Sequence, residues 1–136
     1  GHDIEASWLV QEAADIIGNK LLASKARQKS IVLADAASEG LHKDGGLWYE
    51  YDPSALQLTK QKHSWPQAEA MVGFFNAWQL TGDEEYLQHS LDSWQFVKKY
   101  LHDKIHGEWY WGVNGDYSPM RHEDKVGIWK CPYHNG

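Results

Sequence analysis

The stretch Ser64–Gly82, SWPQAEAMVGFFNAWQLTG, reads as a single helix, and its likeness to the start of the chain decides the architecture. Ser64 with Gln67 three positions on has the spacing of a capping box, and Pro66 is tolerated in a first turn. Ala68, Met71, Val72, Phe75 and Gln79 then share a face, and Gly82 stops the run. The opening stretch GHDIEASWLVQEAADIIG (Gly1–Gly18) sets Ile4, Trp8, Leu9, Ala13, Ile16 and Ile17 at the same helical period and stops at Gly18. Glu5-Ala6 precede Glu69-Ala70 by 64 positions, and Gly18 precedes Gly82 by the same 64.

Each of these helices has a follower. LLASKARQKSIVLADAASEGL (Leu21–Leu41) carries Leu22, Ala26, Leu33, Ala37 and Leu41 as an apolar stripe. DEEYLQHSLDSWQFVKKYL (Asp83–Leu101) starts on acids and ends near Lys98 and Lys99, as the helix dipole favours. Its expected buried stripe is Leu87, Leu91, Trp94, Val97 and Leu101, with Trp78 a further core residue. After each pair comes an aromatic, non-helical run. DGGLWYEYDP (Asp44–Pro53) predicts a brief strand or hairpin arm, and GEWYWGVNGDYSP (Gly107–Pro119) contains Asn114-Gly115, a strong hairpin signal.

Element order and spacing together predict helix-pair repeats at 1–63 and 64–128. The step from Trp65 to Trp129 is again 64, so 129–136 opens a third repeat. Repeats of this kind need neighbours to bury their faces. A period longer than that of common helical solenoids, with an aromatic excursion in each unit, predicts an all-α toroid of inner and outer helices. Parallel inner helices gather their N-termini at one end. His2 and Glu5, Trp65 and Glu69, and Trp129 and His134 are then expected around one cavity.

Composition excludes several classes. With 42% hydrophobic residues the chain is globular, and a net charge of −6 without a basic run argues against nucleic acid or an anionic membrane as partner. Eight Trp exceed what a core of this size needs and suggest a lined cavity. No apolar run approaches a membrane span and no signal peptide is visible. One cysteine, Cys131, fits a reducing, cytoplasmic setting and reads as a small buried residue. His42, His63, His89, His102, His106 and His122 read as surface residues.

GHDIEASWL, WPQAEAMVGFFNAWQLTGD and DKVGIWKCPYHN resemble the cellobiose 2-epimerase branch of the N-acylglucosamine 2-epimerase family. The resemblance covers nearly all of this chain but only the C-terminal part of a family member. It implies the C-terminal portion of an (α/α)6 barrel that epimerises a sugar through an enediol. His2 and His134 match the family's acid/base histidines, Glu5 a carboxylate beside the first, and Glu69 a second binding carboxylate. Trp8, Trp65 and Trp129 match sugar-facing aromatics. Ser64 stands where the family commonly has an aromatic. By the same resemblance a further His linked to ring opening and an Arg near the sugar oxygen belong to a missing N-terminal half. The chain is therefore expected to self-associate or to dock with that half, and to be inactive alone.

The chemistry suits these residues. Epimerising carbon 2 of an aldose needs the open aldehyde, a base on one face and an acid on the other, and His holds both protonation states near neutral pH. Glu5, three residues after His2, shares its helical face and is placed to fix its tautomer. His-x-x-Glu occurs once where a carboxylate metal site needs two, so neither metal nor cofactor is expected. Glu5 and Glu69 leave open a glycosidase with paired carboxylates. An aldose–ketose isomerase or an N-acylglucosamine 2-epimerase on the same fold, and a non-catalytic sugar-binding fragment, are the other readings.

Overall fold

A computed structural model describes residues 1–135, apart from the side chain of Asn135; Gly136, the last residue of the expected segment 129–136, lies outside the described residues. Helices α1 (His2–Ile17) and α2 (Lys20–Ser38) form one helical hairpin, and α3 (Ser64–Thr81) and α4 (Glu84–Phe96) form another. Both turns are built alike. Gly18 (φ 72°) and Gly82 (φ 75°) end the first helices in the left-handed conformation. Asn19 and Asp83 then cap the second helices, accepting from the backbone of Leu21 and Leu22 and of Glu85. Beyond α4 the helix widens into a π turn over Val97–Leu101, which buries Val97 and Leu101 completely.

The excursions hold short strands. β1 (Glu50–Asp52) and β2 (Gln57–Thr59) form an antiparallel ribbon with Glu50 opposite Thr59. β3 (Lys62–His63) pairs with β4 (Gly112–Val113), which joins the excursion of one hairpin to that of the other. The chain closes on the short helix α5 (Pro132–Asn135), set against α3. The Asn114-Gly115 signal does produce a reversal, but with Tyr117 in the left-handed region (φ 67°) and the Asn114 amide bonded to the Ser118 carbonyl. That is a three-residue loop in place of a two-residue turn.

Side-by-side packing of α1 on α3 sets the site. Ile4 is fully buried, and its side chain occupies the space a Cβ on Gly73 would take, 2.6 Å from the Ile4 Cγ1. Only glycine at 73 lets the two helices approach this closely. Ile4, Ala34, Leu47, Ala70, Phe74 and Ala77 form the main core, and Phe96, Val97, Leu101 and Val113 a second one beneath the excursions.

The first excursion is closed by a buried ion pair, which the Tyr117 hydroxyl ties to the second. Lys62 is 1% exposed, and its Nζ lies 2.7 Å from each Asp44 carboxylate oxygen. Burial pushes the Asp44 carboxyl up. The bonds from Lys62, the Tyr117 hydroxyl, the Gly46 amide and His42 outweigh this and hold it at about 2.

Several expectations fail for identifiable reasons. The Ser64 side chain caps nothing; Gln67 instead bonds the Leu47 amide and carbonyl and the His63 carbonyl. On α4 the buried residues are Tyr86, Ser90, Ser93 and Phe96, whereas Leu91 and Trp94 are exposed. Small serines let α4 lie close, their hydroxyls donating to the carbonyls of Met71 and Gly45. Ala13, Ile16, Ile17 and Leu22 are exposed too, because α2 and α3 cover only part of the surface of α1 and, among the described residues, nothing packs outside the start of α2. Cys131 is exposed. His42, His63 and His89 are half-buried, with the His63 ring 4.0 Å from that of Tyr49 and 6.1 Å from that of Trp111.

Candidate active site

At the N-terminal ends of α1 and α3 the polar residues meet. Glu69, on the first turns of α3, is 3% exposed, and a carboxylate so placed must be hydrogen-bonded. Trp8 supplies one bond, from Nε1 to Oε2 at 2.7 Å, across the α1–α3 contact. His134 supplies the other, with Nδ1 2.6 Å from Oε1. When Glu69 is ionised its oxygens only accept, so the proton of this bond then sits on Nδ1 and Nε2 faces outward as the other ring nitrogen. α5 carries His134 to this position from the far end of the chain.

Trp65 separates the two histidines. Its ring centroid lies 5.0 Å from that of His2 and 5.6 Å from that of His134. Glu5 sits with Glu69 and His134, one donor atom from each lying within 4.8 Å of the others. It does not hydrogen-bond the His2 ring, so the expected His2–Glu5 contact is absent among the described residues. One His and two carboxylates are a donor set that fits a divalent cation, but Trp8 and His134 already satisfy both oxygens of Glu69.

Two concavities flank Trp65. A small cleft of about 20 Å³ lies among Trp65, Trp109, Trp111, Trp129 and His134. Trp129 borders it while remaining 79% exposed. On the other side a cavity of about 690 Å³ is bounded by His2, Trp48, Tyr49, Tyr51 and Trp65, within the range of small-molecule sites. The structure therefore brings His2, Glu5, Trp8, Trp65, Glu69 and His134 together, with Trp129 at the margin.

Sequence reading missed Trp48, Tyr49, Tyr51, Trp109 and Trp111 as lining residues. Their signal was visible: alternating aromatics in runs too short to build a sheet that needs them.

The family model described as N-acylglucosamine 2-epimerase (GlcNAc 2-epimerase) matches residues 1–135. A cellobiose 2-epimerase of Bacteroides fragilis is 48% identical over the whole chain, which corresponds to 35% of that relative. Among solved structures, a sugar epimerase from a ruminal bacterium superposes with a TM-score of 0.92 at 38% identity, over 98% of this chain and 34% of the other. The cellobiose 2-epimerase of Bacillus thermoamylovorans gives 0.89 at 41% identity, over 98% and 34%. These structures are (α/α)6 barrels, and the chain spans about a third of the length of the curated relatives it matches.

Proposed function

Because the chain belongs to the N-acylglucosamine 2-epimerase family, we propose that it is part of a sugar 2-epimerase in which His2 and His134 move the proton on carbon 2 of a reducing-end glucose or mannose unit. The observation that carries this reading is the Trp8–Glu69–His134 chain of hydrogen bonds, with His2 facing it across Trp65. In the open-chain aldose the carbonyl acidifies the carbon-2 proton. One histidine takes that proton as the carbonyl oxygen gains one, which leaves an enediol. The other histidine returns a proton to the opposite face as the aldehyde reforms. Glu69 orients His134 and stabilises its imidazolium. The cavity beside His2 receives the remainder of a cellobiose-type disaccharide.

In deuterated water the full-length enzyme is expected to place deuterium on carbon 2 of the product. Label on carbon 1 of a ketose would mean an aldose–ketose isomerase. Release of unlabelled monosaccharide would mean a glycosidase and refute the proposal. One feature weighs against a glycosidase: Glu69 has both oxygens engaged.

On the same reading, 1–63 and 64–128 are successive helix pairs and 129–136 opens another. The protein works in the cytoplasm on a small sugar, without cofactor, metal, nucleic acid or membrane. No described helix is long and apolar enough to cross a membrane. Ile16 (78% exposed), Leu21 (68%) and Val32 (58%) then mark where further pairs pack. The isolated 136-residue chain should self-associate and turn over little sugar. Sedimentation velocity with an NMR epimerisation assay tests this; a monodisperse, fully active monomer would refute it.

A further inference from the structure

Lys62 is the largest fully buried side chain, and the proton transfer described above does not use it. A buried ion pair is a weak source of stability, because desolvation offsets its attraction. An apolar side chain of similar volume would fill the site as well, so the charge calls for another explanation.

The neighbours of Lys62 supply one. Its Nζ lies 4.1 Å from the Trp48 ring centroid, within cation–π range. The His42 ring packs on the same indole at 4.7 Å, and His42 Nδ1 is 3.2 Å from the Lys62 Nζ. Asp44 holds the amine and is itself held by the Tyr117 hydroxyl at 2.6 Å. Trp48, so flanked, borders the 690 Å³ cavity next to His2 and Trp65. A flat aromatic wall recognises the apolar face of a pyranose only if its orientation is fixed.

We propose that Lys62 is a positioning residue for substrate selection: through Trp48 it sets the cavity wall that receives the second ring of a disaccharide. The inference rests on the epimerase reading above and adds which residues favour a disaccharide over a monosaccharide.

The test is Lys62→Met in the full-length enzyme, assayed on cellobiose and on free mannose. KM for cellobiose should rise about tenfold with kcat nearly unchanged, the pattern of lost uniform binding, while turnover of mannose stays within about twofold. Trp48→Ala should give the same selective loss, and the double variant should add little to it. Equal losses on both sugars, or fully additive effects, would show that Lys62 only supports the fold and overturn the inference. If Lys62→Met does not fold, Tyr117→Phe removes one donor to Asp44 and leaves Lys62 in place. It should raise KM for cellobiose alone, about two- to threefold, and no selective rise would overturn the inference. A wild-type enzyme inactive on both sugars would overturn the epimerase reading and this inference with it. An active wild type whose variants lose both sugars equally would overturn this inference alone.

Discussion

Replacing His134 with Asn in the full-length enzyme should cut deuterium exchange at carbon 2 by about a thousandfold, within the range of a lost general acid/base. Asn keeps a donor for Glu69 but cannot take up a proton near neutral pH. Trp65 and the large cavity are untouched, so sugar binding followed by tryptophan fluorescence should stay within a few-fold of wild type. Loss of binding together with exchange would mean that the residue only shapes the site. Exchange retained above about a tenth of wild type would mean that another group moves the proton. In a glycosidase, Glu5→Gln or Glu69→Gln would be the lethal changes instead.

The largest stability effect should come from Gly45→Val. Gly45 has φ 86°, its amide bonds the His42 carbonyl at 2.8 Å, and its carbonyl accepts from Ser93 on α4. A Cβ there would fall inside contact distance of the Asp92 backbone carbonyl, which a helix cannot move aside. Strained backbone and steric overlap together should cost about 4 kcal/mol or more, a large part of the ~5–15 kcal/mol that holds a domain together. Gly18→Ala is the control. Its φ is also positive, but nothing lies within 4 Å of the added carbon, so the cost should be about 1–2 kcal/mol. Chemical denaturation of both variants separates the two outcomes; equal, small losses would refute the account of the Gly45 turn.

Helices and their stops were legible because they depend on local chemistry. Gly18 and Gly82 end helices by backbone conformation alone, and Asn19 and Asp83 cap within two or three residues of themselves. Gln67 was misread for the opposite reason. Its spacing from Ser64 fits a capping box, yet the Leu47 backbone 20 residues away offers a buried donor and acceptor that need partners more. Ser90 and Ser93 look like surface residues until the distant carbonyls they bond are in place. The site shows the same divide. The 64-residue step brought Glu5 and Glu69 into register and set His134 near the same cavity, but the bond between His134 and Glu69 was not legible in the sequence. No periodicity links two residues 65 positions apart whose contact depends on a four-residue helix.

The long reach of those contacts also orders events during folding. Each helical hairpin closes through a turn of two residues, and such local structure forms on the microsecond scale. Trp8 must find Glu69 across 61 residues, and His134 must find it across 65, after both hairpins have docked. Loop-closure entropy places these contacts after the local turns. A partly unfolded chain therefore has helices but no oriented imidazole, and His134 gains its bond to Glu69 only when α5 settles onto α3.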